Sequence, residues 1–324
     1  MSDNTASAIG LVVIGRNEGE RLRRCLQSVL GDGRQVVYVD SGSTDGSVEL
    51  ARGLGAQVVA LDMRRPFTAA RARNAGWRAL LLQAPQVRYV QFIDGDCEMN
   101  AGWLAAAQAF LDSHPQHAVV AGRLRERHPE RSIYNRLCDI EWDTPVGDAK
   151  ACGGIAMVRA TPLQAVGGFR DDLIAGEEPE LCVRLRAAGW KIYRLDADMA
   201  LHDAAMLHWR QWWRRTMRGG FAYAQGAWLH GAAPERHWVR ETARALAWGA
   251  GVPLLALAAV LAFGAWGLLV GLIYPLQMLR LALKMRDPQR AFFLVAGKWA
   301  EAWGAIRFYW GRLLQRRQGI IEYK

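Results

Sequence analysis

The sequence is short of cysteine. The five present, Cys25, Cys97, Cys138, Cys152 and Cys182, are scattered, odd in number and without a CxxC pair. That argues against a disulfide framework or a zinc site and makes a reducing compartment the expected setting. Residues 1–5 (Met-Ser-Asp-Asn-Thr) lack a basic segment followed by an apolar one, so no signal peptide is expected. The first polar turn, Gly15-Arg16-Asn17-Glu18-Gly19, lacks GxGxxG, which counts against a dinucleotide-binding oxidoreductase. Repeats and low-complexity segments are absent. Acidic residues are scarce at the end of the chain. Of 41 Lys and Arg and 31 Asp and Glu, residues 236–324 hold 13 and 4, so nine of the ten net positive charges lie there. Residues 245–279, 35 in all, carry no charge. A nucleic-acid binder can have a basic tail. A basic tail that also contains the longest apolar stretch favours a membrane, and no nucleic-acid partner is expected.

What is present begins with alternation. The 324 residues, 51% of them hydrophobic, suffice for one large domain or two smaller ones. Strand patterns at 10–14, 36–39, 57–61 and 89–93 alternate with helical patterns at 18–30, 43–54 and 68–82. Such alternation predicts parallel βαβ units, with ligands bound beyond the carboxyl ends of the strands. Gly15-Arg16-Asn17-Glu18, Asp40-Ser41-Gly42-Ser43 and Asp94-Gly95-Asp96 all fall at such ends. A helix over 101–111 and a strand over 118–122 follow. Residues 124–152, with Trp142, Pro145 and Gly147, read as a long irregular lid or binding loop. A short helix near 162–166, a helix opened by Glu177-Glu178-Pro179-Glu180 with Pro179 at its first position, and a strand at 191–195 complete the pattern.

Asp94-Gly95-Asp96 ends the apolar run Arg88-Tyr89-Val90-Gln91-Phe92-Ile93. Alone it would be an acidic turn. At the end of a buried strand its two carboxylates are costly unless something positive binds them. A hard divalent cation carrying a diphosphate meets that need.

These motifs, taken in order, resemble the family 2 glycosyltransferases, which have a GT-A nucleotide-sugar fold. The resemblance covers residues 9–220. It rests on Val12-Val13-Ile14-Gly15-Arg16-Asn17-Glu18, on Val39-Asp40-Ser41-Gly42-Ser43-Thr44-Asp45-Gly46, on Arg71-Ala72-Arg73-Asn74-Ala75-Gly76, on Phe92-Ile93-Asp94-Gly95-Asp96 as a DXD metal motif, on Gly153-Gly154, and on Gly176-Glu177-Glu178-Pro179-Glu180-Leu181. It implies an α/β, Rossmann-like, mostly parallel sheet flanked by helices, with membrane-associated helices at the C-terminal end. The implied activity is an inverting, metal-dependent transfer of a sugar from a nucleoside-diphosphate donor, UDP- or GDP-linked, to a hydroxyl of a saccharide acceptor carried on lipid, in surface polysaccharide or glycan synthesis. Transfer to polyprenyl phosphate and an inactive membrane scaffold are the alternatives.

The resemblance also implies roles. Asn17, Glu18, Asp40, Arg73, Asp94, Gly153 and Gly154 would bind the donor, with Asp40 facing the nucleobase and Arg73 reaching a phosphate. Asp96 and His202 would hold Mg²⁺ or Mn²⁺, with His208 a competitor. Glu178 would be the general base, with Glu177 the other choice, because glutamate stands where the family has aspartate. The first-turn acids would otherwise complement the helix dipole. Gln211-Trp212-Trp213-Arg214-Arg215 departs from the Gln-x-x-Arg-Trp segment of processive synthases and reads as an interfacial helix.

The expected domains are a catalytic one at 1–235 and a membrane-associated one at 236–324, with an apolar hairpin at about 245–279 and an amphipathic helix at about 291–315. Arg236, Arg240 and Arg244 before the run and Arg280, Lys284, Arg286 and Arg290 after it favour a hairpin turning near Gly264 to Gly267, with both flanks on the cytoplasmic face of the inner membrane. A single span, a shallow re-entrant pair and a buried helical pair remain open.

Overall fold

A computed structural model describes residues 8–31 and 33–315. The elements run β1 (Ile9–Gly15), α1 (Glu20–Val29), β2 (Gln35–Asp40), α2 (Ser47–Gly53), β3 (Gln57–Ala60), α3 (Ala69–Gln83), β4 (Tyr89–Asp94), β5 (Cys97–Met99), α4 (Trp103–Ser113), β6 (His117–Glu126), α5 (Ile133–Glu141), β7 (Gly147–Ala149), β8 (Ala156–Arg159), α6 (Ala160–Ala165), α7 (Glu177–Ala187), β9 (Lys191–His202), α8 (Trp209–His230), α9 (Val239–Leu246), α10 (Val252–Phe263), α11 (Ile273–Met285) and α12 (Pro288–Leu313). Residues 1–5, read for a leader, lie outside the described residues. The chain forms two compact units. One runs to Arg131 and resumes at Cys138–Ala205; the other takes Ser132–Leu137 and everything from Met206. The division falls before α8 rather than at 235, because α8 packs on α12.

The first unit is built on one sheet in the order β3-β2-β1-β4-β8-β6-β9-β5, with β7 on β9. Strands β1 to β4 pair in parallel, and so do β6 and β9. β8 runs antiparallel to β4 and β6, and β5 and β7 run antiparallel to β9. The sheet is therefore parallel in one half and mixed in the other. The short strands β5, β7 and β8 carry too few residues to show a period. Side chains alternate through the sheet: Leu11 and Val13 join one core with Leu22, Leu26, Tyr38 and Trp103, while Val12 and Ile14 join another with Val37, Trp77, Leu80 and Phe92. Burial on both faces explains the unbroken apolar runs of β1, β2 and β4.

Residues 124–152 are not irregular. β6 continues to Glu126, and α5 and β7 follow. Asp139 fastens this stretch to β6, accepting from Glu126 N–H at 2.9 Å and Arg123 Nη2 at 3.3 Å. Pro179 occupies the third position of α7, not the first. Its missing N–H costs nothing there, since the first four amides of a helix have no intrahelical partner.

In the second unit, α8 and α12 touch backbone to backbone. A Cβ on Gly220 would lie 2.0 Å from Glu301 O, and one on Gly304 would lie 2.0 Å from Met217 O. Residues Val239–Met285 are long and apolar enough to cross a membrane, and almost none of the most apolar window is buried. The run is not straight. Gly264 has φ +62°, and a 3₁₀ stretch, Gly264–Leu272, folds back on α10, so that a Cβ on Gly267 would meet Val260 N at 2.1 Å. Tyr274 Oη then donates to Trp248 O at 2.5 Å, tying α11 back to the start of the run.

Candidate active site

Strand register sets the site. Gly15 lies opposite Asp40 and Ile14 opposite Asp94, so the carboxyl ends of β2, β1 and β4 stand side by side. The loops beyond them are latched. Asn17 N–H donates to Ser43 Oγ at 2.9 Å, and Thr44 N–H donates to Asn17 Oδ1 at 2.8 Å. Asn17 has φ +56°, a conformation asparagine tolerates better than most residues. Asp40 is a buried turn aspartate: Oδ2 accepts from the Gly42 and Ser43 amides at 2.9 Å each, and Oδ1 from Tyr38 Oη at 3.1 Å. It shapes the loop that was expected to meet a nucleobase. Glu18 pairs with Arg21 at 2.7 Å.

The Arg71-Ala72-Arg73-Asn74 segment of α3 carries three buried side chains that tie it to separate parts of the unit. Arg71 donates to the carbonyls of Asp62, Arg65 and Pro66. Asn74 clamps Phe169, receiving its N–H at 2.9 Å and donating to its carbonyl at 2.7 Å. Arg73, 3% exposed, donates Nη2 to Asp94 Oδ1 at 2.9 Å and Nη1 to Glu177 Oε1 at 2.7 Å. Its charge is thus engaged by two carboxylates, an arrangement the sequence did not reveal. The cause is distance in sequence: its partners lie 21 and 104 residues away. Gly154 lies against this pair, since a Cβ there would come within 3.0 Å of Arg73 Nη2 and 3.5 Å of Asp94 Oδ2.

Asp96 is buried, and its Oδ2 lies 3.1 Å from His202 Nε2 at the end of β9. β5 makes this meeting, because Cys97 pairs with His202 across the strands. Two neighbouring ligands of an octahedral cation, each at about 2.1 Å, stand about 3 Å apart, so this pair fits two positions of a divalent ion. Asp96, Cys97 and His202 together form a possible ligand group. Trp142 stacks edge-on over His202, with ring centroids 4.7 Å apart. Only its place in an aromatic, polar stretch hinted at this.

Helix α7 starts from Gly176, whose φ is +76°. Of its first-turn acids, Glu180 is structural, held by Arg184 at 2.8 Å. Glu177 goes to Arg73. Glu178 Oε1 accepts from Cys152 N–H at 2.5 Å and from Cys182 Sγ at 3.1 Å, and both bonds fall on that one oxygen. Burial raises the Glu178 carboxyl above its ordinary range, against the hydrogen bonds from Cys152 and Cys182, which lower it. Cys152 and Cys182 lie 3.8 Å apart, Sγ to Sγ, a pairing their wide spacing in sequence concealed.

His208 is the N-cap of α8. Gln211 Oε1 accepts from the amides of Leu207 and His208 at 2.8 and 3.0 Å. That makes Gln211 a capping residue of the second unit.

The sequence profile of Glycosyl transferase family 2 matches residues 11–154, from β1 through Gly154. Over 209 residues the chain is 27% identical to a pre-mycofactocin glycosyltransferase of Mycobacterium tuberculosis, a match covering 60% of this chain and 42% of that protein. This chain thus spans less than half the length of that relative. Glycosyltransferase AglE of Haloferax volcanii is 22% identical over 216 residues, 62% of this chain and 68% of its own. Among solved structures, the mannosyltransferase PcManGT from Pyrobaculum calidifontis, in complex with GDP-Man and Mn2+, shares the fold with TM-score 0.64 at 20% identity, covering 94% of this chain and 88% of that one.

Proposed function

We propose that the chain, whose residues 11–154 match the Glycosyl transferase family 2 profile, is a glycosyltransferase of that family that transfers a sugar, with inversion, from a nucleoside-diphosphate donor to a hydroxyl of a lipid-linked saccharide. The observation that carries the reading is the meeting of Asp96 and His202 at 3.1 Å beside the aligned ends of β1, β2 and β4. A divalent cation held there, Mn²⁺ or Mg²⁺, supplies positive charge to the departing diphosphate. Asp94, fixed by Arg73, faces the donor beside Gly154. The Asn17 and Asp40 loops border the nucleoside.

Glu178 is the base in this reading. An acceptor hydroxyl must lose its proton as the anomeric C–O bond to it forms and the bond to the diphosphate breaks. A carboxylate whose affinity for protons is raised by burial suits that task. A polyprenyl phosphate arrives already ionised and needs no such group, which favours a hydroxyl acceptor. Glu177 is tied to Arg73, and its role is to orient rather than to accept a proton.

The tail supports an acceptor on a membrane. Leu261, Phe263, Trp266 and Leu268 of the hairpin are each at least two-thirds exposed, an apolar surface of the kind that marks a membrane contact. The uncharged part of the outgoing arm, residues 245–263, is one unbroken helical stretch of about 28 Å, and the returning 3₁₀ stretch with the start of α11 reaches about as far. A bilayer core is about 30 Å thick. Arms of that length enter the core as a hairpin and leave both basic flanks on the cytoplasmic side. The test is turnover of UDP- and GDP-sugars with Mn²⁺: Asp96→Ala lowers it roughly a thousandfold, the scale of several kcal/mol of lost charge stabilisation. Undiminished turnover refutes the role of Asp96.

A further inference from the structure

The cluster beside Gly153-Gly154 holds two thiols that sugar transfer leaves unused. Cys152 Sγ lies 3.8 Å from Cys182 Sγ, and Cys182 Sγ lies 3.1 Å from Glu178 Oε1. One ligand atom from each of the three lies within 4.8 Å of the others. Glu178 and Cys182 are four residues apart on α7, the spacing that stacks two side chains on one helix face. Cys152 comes from the facing loop and is tied to the same glutamate through its own amide at 2.5 Å. Cys182 is fully buried and Glu178 is 7% exposed, while Cys152 is half-buried and offers a way in.

The spacing selects a class of cation. Two thiolates, each about 2.3 Å from a tetrahedral centre, stand about 3.8 Å apart, which is the sulfur separation observed. A carboxylate oxygen at about 2.0 Å from the same centre stands about 3.5 Å from each sulfur, and Glu178 Oε1 already lies 3.1 Å from that of Cys182. Mg²⁺ and Mn²⁺ prefer oxygen; a pair of thiolates prefers zinc and ions of like softness. The Asp96–His202 pair and this cluster therefore sort cations between them.

We propose that Cys152, Glu178 and Cys182 form a second cation site, for Zn²⁺, with three protein ligands and a fourth position open to water. Binding releases the two thiol protons to solvent, as thiolate ligation requires. Two thiolates, a carboxylate and Zn²⁺ sum to one negative charge, next to the Arg186 guanidinium, whose field already acts on Cys182. Zinc binding also occupies Glu178, so a loaded chain does not deprotonate its acceptor. That consequence rests on the proposed function; the binding does not.

Co²⁺, a spectroscopic substitute for Zn²⁺, tests the site directly. The full chain is first saturated with Mg²⁺ and then titrated with Co²⁺. The expected result is a thiolate-to-cobalt charge-transfer band in the near ultraviolet that saturates at one equivalent and disappears on adding Zn²⁺. Cys152→Ser, a change at a half-buried loop position, abolishes the band, and Cys97→Ala, beside Asp96, leaves it. Glu178→Gln keeps both sulfurs but weakens Co²⁺ binding by at least about tenfold, since even outer-partner losses cost 10–100-fold. No band at one equivalent, or a band undiminished in Cys152→Ser, overturns the proposal, and neither outcome bears on sugar transfer.

Discussion

The commoner use of glycine differs between the two units. In the sheet unit, Gly42, Gly46, Gly153 and Gly176 sit at positive φ, where a glycine opens a turn or a helix. In the helical unit, Gly220, Gly249, Gly267 and Gly304 sit where a Cβ would strike a neighbouring backbone within about 2 Å. The sheet unit hides large apolar side chains and gathers charge at one edge. The helical unit hides glycine and alanine, such as Gly297, Ala300 and Gly304 of α12, and turns Leu261, Trp266 and Trp310 outward. Small residues inside and large ones outside is the packing expected when the surroundings are lipid. The contrast teaches that a glycine's cost of replacement depends on whether conformation or contact put it there.

Substitutions can break or sharpen this contrast. The largest effect is expected at the charged edge of the sheet unit. Arg73→Met leaves Asp94 and Glu177 without their shared cation and lowers stability by about 3–5 kcal/mol, read by denaturant unfolding. Gly220→Ala pushes a methyl group into Glu301 O and costs about 2–3 kcal/mol in thermal denaturation, as overpacking does. Gly153→Ala meets nothing within 4 Å, so its cost is the positive φ alone, about 1–2 kcal/mol. The smallest effect has the opposite sign. Gly219, the neighbour of Gly220 on α8, has open space around a Cβ, and Gly219→Ala stabilises by about 0.4–1 kcal/mol in the same melt. Equal effects at Gly219 and Gly220 would erase the distinction between the two uses.

How much of this was legible depended on the range of each interaction. β1, β2 and β4 were legible because burial on both faces writes a continuous apolar run into the sequence. Asp94 and Asp96 stood out because carboxylates at the end of such a run need a cation. β5, β7 and β8 were not legible: three or four residues carry no period, and their pairing is set by β9 and β4. The helix α5 was hidden in a segment whose charges and aromatics looked like a loop. The work of Arg73 was hidden because both its partners come from other elements. The thiols Cys152 and Cys182 looked unrelated because only the fold of α7 against the Gly153-Gly154 loop brings them together. In the tail, by contrast, the long apolar stretch was legible, because an uncharged run of that length is written directly in the sequence.

The central claim is that Asp96 and His202 hold a divalent cation that serves a nucleoside diphosphate. Electron paramagnetic resonance of Mn²⁺ with UDP or GDP present measures this without a sugar acceptor. One bound Mn²⁺ is expected in the native chain, none in Asp96→Ala, and weaker binding in His202→Ala. Mn²⁺ bound as tightly by Asp96→Ala as by the native chain would contradict it.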